Sequence, residues 1–330
     1  MLPSGEKNSS HTTFIFRGFP EFHEHRWLLA PPLAAIYTSA LLSNALLVYV
    51  ICSVERLHSP MYLLICMLCT VDLAVVSAIV PSTLLGLLLD WNSISLAGCL
   101  AQMFVTHFLS SVESTLLLAM SLDRYMAICQ PLRYNELANS SVFVKLLFFT
   151  LVRSGSVIAT LVGLAGSLRF CASNIIPHCY CDHMALVSLA CGDTQHSRAA
   201  GLAVIVCFVG VDIPLIFFSY MKILSAVLRA AAAGEDRRKA FHTCATHLMV
   251  MMCFYLVGSV TFLSHNLNID IPTDANTAMG LLYILFPAAA NPVIYGVRTA
   301  EIRNGFFRLF RLREAKVSPA SVKTTKLNED

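Results

Sequence analysis

Long apolar runs alternate with short polar segments along the whole chain. Most runs contain about 20 residues, the length that an α-helix needs to cross the hydrocarbon core of a bilayer. We predict seven membrane spans from this pattern, at about 28–52, 61–85, 99–121, 142–166, 199–227, 243–264 and 275–297. The expected fold is an all-α membrane protein, a seven-transmembrane helix bundle whose termini lie on opposite sides of the membrane.

The composition agrees with this topology and excludes ordinary soluble folds. Hydrophobic residues make up 56% of the 330 residues and charged residues only 13%, and the mean hydropathy is +0.67. A chain of this composition has too few polar side chains to cover the surface of a water-soluble domain. We therefore expect a multi-pass membrane protein.

Basic residues lie on one side of the predicted bundle and fix its orientation. The segment between spans five and six and the C-terminal tail contain Lys222, Arg229, Arg237, Arg238, Lys239, Arg298, Arg303, Arg308, Arg311, Arg313, Lys316, Lys323 and Lys326. Segments 87–98 and 265–276 contain no lysine or arginine. Because basic loops stay in the cytosol, residues 1–27 form an extracellular N-terminus and residues 298–330 a cytosolic tail. Contact with inner-leaflet lipid accounts for the net charge of +3, so no nucleic-acid partner is expected.

The extracellular side carries a sequon and several cysteines. Asn8-Ser9-Ser10 is a glycosylation sequon, whereas the sequon at Asn139 faces the cytosol and is expected to remain unmodified. Residues 1–27 lack the features of a cleaved signal peptide, so we expect span one to act as a signal anchor. The extracellular cysteines, which are able to oxidise, are Cys99, Cys171, Cys179, Cys181 and Cys191. Their number is odd, so one thiol is left over.

The residues after span seven predict a short amphipathic cytosolic helix. Apolar Ile302, Phe306, Phe307, Leu309 and Phe310 alternate at helical spacing with Arg303, Arg308, Arg311 and Arg313. Such a helix lies on the inner leaflet, with its apolar face toward the acyl chains.

Span three carries a polar stripe. Its members recur at spacings of three and four residues and are His107, Ser110, Ser114, Leu117, Ser121 and Arg124. This spacing places them on one helix face, which must look into the bundle because lipid surrounds the rest. His107 lies about 25 Å from Arg124 at the helical rise. One helix therefore connects the extracellular third of the bundle to its cytosolic end.

Ionisable residues at bilayer depth each need a partner or a role. Asp72 and Glu113 both reach the middle of the membrane, and two nearby carboxylates cannot both ionise without cost. Either a shared proton or a cation is expected between them, the alternative to an ion being a hydrogen-bonded acid pair. Arg153 is expected to extend toward the cytosolic edge, and Asp212 and His247 are expected to be satisfied core groups.

Four stretches resemble signatures of one receptor family. They are Pro60-Met61-Tyr62, the run from Asp123-Arg124-Tyr125 to Tyr134, residues 239–248 (KAFHTCATHL) and residues 291–298 (NPVIYGVR). Their order and spacing resemble the olfactory receptors, rhodopsin-like G-protein-coupled receptors, and the loop 170–193 resembles the class I (fish-like) branch. The chain departs from the family's usual pattern at Ser121-Leu122, where Ala-Tyr is usual, and at His242, where serine is usual.

The resemblance implies a function and a set of sites. It implies an odorant receptor of the plasma membrane, not an enzyme, that binds small, mostly apolar odorants in the helix bundle. Activation of a stimulatory, olfactory-type heterotrimeric G protein would then raise cyclic AMP. The implied ligand-binding residues are Met103, Thr106, His107, Ser110, His183, Met184, Val204, Phe208, Tyr255, Ser259, Phe262 and Asn266. The implied switch residues are Asp123, Arg124, Tyr125, Tyr220, Tyr255, Asn291, Pro292 and Tyr295.

The resemblance also implies two disulfides and an ion site. The disulfides are Cys99–Cys181 and Cys171–Cys191, which leave Cys179 free. A structural sodium ion is implied at Asp72, Glu113, Asn44 and Asn291. Some class I receptors for carboxylic acids have an arginine at the place of Asn266, so we predict that short fatty acids are not preferred ligands.

Three alternatives remain open. The loop His178–His183 contains ligands that suit a transition metal, although a lid held by disulfides explains it equally. The polar stripe residue His107 is either a ligand contact or a core histidine bonded to a neighbouring helix. A transporter or channel also places acids inside the membrane, but the sequence contains neither inverted repeats nor two matching broken spans.

Overall fold

The computed structural model describes residues 10–22, 24–137, 140–171, 173–229, 238, 241, 244–252, 254–256 and 271–317. Its helices are α1 (Ala30–Ser53), α2 (Pro60–Leu89), α3 (Leu96–Cys129), α4 (Pro131–Leu137), α5 (Ser140–Gly166), α6 (His183–Val187), α7 (Gln195–Arg229), α8 (Cys244–Leu256), α9 (Thr273–Arg298) and α10 (Ala300–Val317). Single 3-10 turns, Arg26–Leu29 and Glu55–Leu57, precede α1 and α2.

Within the described residues, six helices are long and apolar enough to cross a bilayer: α1, α2, α3, α5, α7 and α9. They overlap six of the predicted spans, and α8 overlaps the start of the sixth, whose remainder from 257 onward lies outside the described residues. Several helices are longer than their spans. The 34 residues of α3, for example, extend past the predicted span at both ends, because the apolar run marks the bilayer thickness and not the helix ends.

Local sequence explains where the helices begin. Ser59 is extended and precedes Pro60 at the first turn of α2, where a missing N–H costs nothing. Ser95 Oγ accepts a hydrogen bond from Gly98 N (3.1 Å) at the start of α3. Asp182 caps α6 in the same way, with Oδ2 accepting from Met184 N and Ala185 N.

Short strands cover the extracellular end of the bundle. They are β1 (Thr13–Phe16), β2 (Ser93–Ser95), β3 (Arg169–Phe170), β4 (Ile175–Ile176) and β5 (Ala190–Cys191). β1 is the central strand of a three-stranded sheet, antiparallel to β2 and parallel to β4. β3 and β5 form an antiparallel pair. The N-terminal segment is therefore hydrogen-bonded, through β1 and β4, to the loop between α5 and α7.

The buried side chains form three apolar clusters. The largest joins the cytosolic halves of the helices and includes Leu117, Met120 and Tyr295. The second lies between α1, α2 and α9, and the third lies beneath the strands around Phe14 and Met103. The outer faces of the helices carry apolar side chains that are more than half exposed, such as Leu42, Phe148, Phe217 and Val297. These faces are the lipid-contacting surface.

The predicted helix after span seven is α10. Its Ile302 is buried, and Gly305 faces Leu57 and Val50 so closely that an added Cβ would lie 3.3 and 3.5 Å from their side chains. This packing holds α10 against the cytosolic ends of α1 and α2. Phe307, in contrast, is exposed, as expected for a helix face that contacts lipid.

Candidate functional site

Two disulfides hold a lid, residues 169–191, over the extracellular end of the bundle. Cys99 at the start of α3 is bonded to Cys181, with Cα atoms 5.3 Å apart, and Cys171 is bonded to Cys191, with Cα atoms 5.7 Å apart. These are the pairs that the family resemblance implied, and Cys179 is a free, buried thiol. Gln102 Oε1 also accepts a hydrogen bond from Cys181 N (3.0 Å), so the lid is fixed to α3 at two points.

Nine of the twelve predicted ligand-binding residues lie in the described part of the chain, on α3, α6, α7 and α8. Met103 and Thr106 are buried on α3, Phe208 is buried on α7, and His183 is buried at the start of α6. His107, Ser110, Met184, Val204 and Tyr255 are partly exposed. Ser259, Phe262 and Asn266 lie outside the described residues, as does Asn8 of the predicted glycosylation sequon.

His183 packs tightly between the lid and α7. Its Nε2 lies 3.3 Å from Ser197 Oγ, and an added Cβ on Gly201 would lie 3.2 Å from its Cε1. Burial, followed by the neighbouring His107, lowers the pKa of His183 to about 4. The imidazole is therefore neutral at extracellular pH and offers a hydrogen bond without a charge.

A network of charged and polar side chains includes the predicted ligand-binding residue Tyr255. Tyr255 Oη lies 2.9 Å from Ser114 Oγ, and Ser114 Oγ donates to Asp212 Oδ2 (2.7 Å). Asp212 Oδ1 is paired with Arg153 Nη2 at 3.2 Å. The guanidinium of Arg153 also lies 4.3 Å from the ring centroid of Phe208. One connected set of side chains thus links α3, α5, α7 and α8.

This network corrects one prediction and explains another. Arg153 does not extend toward the cytosolic edge: its side chain is 14% exposed and pairs with Asp212, which is fully buried. Pairing removes the cost of two isolated charges at bilayer depth. Asp212 is a satisfied core group, as predicted. His247 is also satisfied, because its Nδ1 lies 3.2 Å from Tyr295 Oη.

The four residues predicted to surround a sodium ion are fully or almost fully buried. Asn291 Nδ2 donates to Asp72 Oδ2 (3.0 Å), Asn291 is also hydrogen-bonded to Glu113, and Asn44 Nδ2 donates to Ala288 O (2.7 Å). Among the described residues, one oxygen of each side chain has no hydrogen-bond partner: Asn44 Oδ1, Asp72 Oδ1, Glu113 Oε1 and Asn291 Oδ1. Buried orphan oxygens of this kind suit a hard cation, which prefers oxygen ligands.

The alternative metal site in the lid has a different arrangement. The ring of His178 packs edge-on against Tyr180, with centroids 4.2 Å apart, whereas His183 faces Ser197. Cys181 is held in a disulfide. In the part of the chain that the structure describes, no three His, Cys, Asp or Glu side chains are grouped closely enough to hold a metal ion.

At the cytosolic end, Arg124 lies beside Asp123, with Nε 3.9 Å from Oδ2. Tyr134 Oη donates to the other carboxylate oxygen of Asp123 (2.9 Å). Burial, and then the Asp123 carboxylate, raises the pKa of Tyr134 to about 12. Sequence reasoning missed this contact, although α4 begins at Pro131 directly after α3 and so returns Tyr134 toward Asp123.

Together, the fold and these sites define a helical multi-pass membrane protein whose extracellular end is covered by a disulfide-bonded lid and whose cytosolic end is charged. The family model described as olfactory receptor matches residues 33–313. Olfactory receptor 51E2 of Rattus norvegicus is 38% identical over 305 residues, which cover 92% of this chain and 95% of the relative. Olfactory receptor 52D1 of Homo sapiens is 37% identical over 306 residues, 92% of this chain and 96% of the relative.

The chain belongs to the olfactory receptor family. It is therefore a seven-transmembrane odorant receptor of the plasma membrane and not an enzyme, and its partners are odorants and a G protein. The predicted family and fold class are confirmed.

Proposed function

We propose that this receptor binds a small, neutral, mostly apolar odorant beneath the lid and activates a stimulatory G protein, so that cyclic AMP rises. The observation that carries the proposal is the hydrogen-bonded chain from Tyr255 through Ser114 to Asp212 and Arg153. The guanidinium of Arg153 lies 4.3 Å from the ring centroid of Phe208, one of the predicted ligand contacts. An odorant that displaces Tyr255 must therefore rearrange contacts among four helices.

The chemistry of the predicted ligand-binding residues and their neighbours supports a neutral ligand. Met103 and Phe208 are apolar, and a ligand that packs against apolar side chains gains about 25 cal/mol per Å² of buried area. His183 is neutral because its pKa is about 4, and the charge of Arg153 is already balanced by Asp212. A carboxylate ligand would have to give up its hydration without gaining an ion pair. Alcohols, ketones and esters meet no such penalty.

The signal reaches the cytosol along α3 and α9. Ser114 and Arg124 lie ten residues apart on α3, or about 15 Å at the helical rise. Release of Tyr255 frees α8 to move, and the contact between His247 on α8 and Tyr295 on α9 must then change. These movements open the cytosolic end around Arg124 for the G protein. α10 stays on the inner leaflet and keeps the helix ends in place.

We further propose that Asp72, Glu113, Asn44 and Asn291 hold a sodium ion in the inactive receptor. The ion would supply positive charge to the two carboxylates, and the four orphan oxygens would be its ligands. Thermal unfolding of the purified receptor in sodium chloride and in choline chloride tests this. Sodium should raise the unfolding temperature of the wild type and not of Asp72→Asn. Equal temperatures in the two salts for the wild type would remove the ion from the proposal.

A cyclic AMP reporter assay with a panel of small volatiles tests the main proposal. Neutral volatiles should activate the wild type, Arg124→Ala should abolish the response at equal surface expression, and Phe208→Ala should weaken it. Short fatty acids should be poor agonists. The proposal fails if carboxylic acids are the best agonists, or if receptor in nanodiscs carries solute across the bilayer and never promotes nucleotide exchange.

A further inference from the structure

The middle of the lid is buried between the helices, away from the predicted ligand-binding residues. Residues His178–Tyr180, here called the lid wedge, are only 2%, 6% and 5% exposed. Cys179 and Tyr180 belong to the apolar cluster of α1, α2 and α9, which includes Ile79 and Ile284. The lid therefore has two halves: α6 covers the ligand side, and the lid wedge fills the opposite side.

The lid wedge rests on a glycine of α9. A Cβ added to Gly280 would lie 2.7 Å from Cε1 and Nε2 of His178 and 2.9 Å from Oη of Tyr180. All three distances are shorter than side chains tolerate. Only a hydrogen atom fits at this position, because the two rings pack edge-on with centroids 4.2 Å apart and close over the helix together.

The lid wedge is held on its other sides as well. Thr83 on α2 donates to the carbonyl of Cys179 (3.5 Å), and an added Cβ on Gly18 of the N-terminal segment would lie 2.9 Å from Cys179 Cβ. The next residue, Cys181, is bonded to Cys99. A methyl group at Gly280 must push the rings of His178 and Tyr180 away from α9. Because both rings are buried, we expect the lid wedge to move with them.

We propose that His178, Tyr180 and Gly280 are positioning residues that seat the lid on α9, so that the lid and the seventh helix move together. α9 carries Asn291 and Tyr295 at its cytosolic end, and the lid carries His183 over the ligand. The seat gives a bound odorant a route to the cytosolic switch that does not pass through Tyr255. The seat extends the proposed function, and its existence can be measured without any odorant.

The accessibility of the Cys179 thiol to labelling reports whether the lid wedge is seated on α9. Its thiol is 6% exposed, and burial raises its pKa to about 12, so it should resist a membrane-impermeant polyethylene-glycol maleimide applied to intact cells. The other four extracellular cysteines are in disulfides. Labelling from outside therefore reports the lid wedge, and Cys179→Ser, which should remain unlabelled, verifies the assignment.

Gly280→Ala should expose Cys179. Overpacking of this size should speed labelling about tenfold. Gly296→Ala is the matched control, since it makes the same change on the same helix at a position where an added Cβ meets nothing within 4 Å. It should label as slowly as the wild type. The proposal is overturned if both variants label equally, or if the wild type labels as fast as Gly280→Ala.

A double-mutant cycle separates the seat from general loosening of the helix. His178→Ala removes the nearest obstacle, so Gly280→Ala combined with His178→Ala should label more slowly than the sum of the single effects predicts. Additive effects would overturn the proposal. If Gly280→Ala does not reach the surface, His178→Ala alone still tests the seat: it should label faster than Gly296→Ala, and equal rates would overturn the proposal.

Discussion

Replacing Arg153 by methionine removes the cation that faces Asp212 inside the bundle. The side chain of Asp212 is 0% solvent-accessible, and Arg153 Nη2 lies 3.2 Å from its Oδ1. Water therefore cannot replace the lost cation. Removing one partner of a buried ion pair leaves an uncompensated charge and lowers stability by about 3–5 kcal/mol. Methionine preserves most of the apolar stem of arginine, so lost packing contributes little.

The measurement is the free energy of unfolding of purified receptor in mixed micelles. Arg198→Met is the control, because Arg198 is exposed on α7 and its loss should change stability by less than about 0.5 kcal/mol. The double variant Arg153→Met with Asp212→Leu should recover most of the loss, since it removes both charges at once. Its response to odorants should nevertheless fall, because Ser114 loses its acceptor.

The reasoning is refuted if Arg153→Met is no less stable than Arg198→Met. It is also refuted if the double variant is less stable than the wild type by the full sum of the two single losses, because additive losses mean that the two groups do not interact.

Three other predictions follow from the described contacts. Tyr134→Phe removes the donor to Asp123 and should raise basal cyclic AMP about fivefold, since a hydrogen bond contributes about 1 kcal/mol; unchanged basal activity contradicts this. The folded pKa of His183 is about 4 against an ordinary 6.5, so the unfolded chain binds the extra proton and stability should fall by up to about 3 kcal/mol as the pH is lowered between these values. His183→Gln, measured by the same melts, should lose this dependence. Cys99→Ser opens a bridge across 82 residues and should destabilise more than Cys171→Ser, whose bridge spans 20, by about 1 kcal/mol; the reverse order in thermal melts would contradict it.

The spans and the inward face of α3 could be predicted from the sequence, because lipid imposes a strict rule on apolar length and on the direction of polar side chains. The stripe correctly placed Ser114 inside the bundle. Its partners could not be predicted, because the contact with Asp212 depends on how α3 and α7 are rotated against each other. Arg153 was misplaced for the same reason, since its depth permits either a route to the cytosol or a partner on α7.

The extracellular lid was the least predictable part. Residues 1–27 carry no long apolar run, and no local pattern indicates that Thr13–Phe16 pairs with two distant segments. Strand pairing of this kind joins residues as far apart as Ile15 and Ile175, and only the assembled bundle brings them together. Phe14 is nevertheless fully buried and packs edge-on against Phe170, with ring centroids 5.3 Å apart, so the N-terminal segment is part of the lid.

Three polar contacts inside the membrane each join two different helices. Asp72 on α2 contacts Asn291 on α9, Asp212 on α7 contacts Arg153 on α5, and His247 on α8 contacts Tyr295 on α9. Apolar side chains can exchange neighbours without leaving an apolar environment, because lipid and protein interiors are similar solvents. A hydrogen bond between helices cannot do so, since a group that leaves its partner at bilayer depth finds no water. Any movement that opens the cytosolic end must therefore exchange these partners instead of breaking them, so the bundle is restricted to a few discrete arrangements.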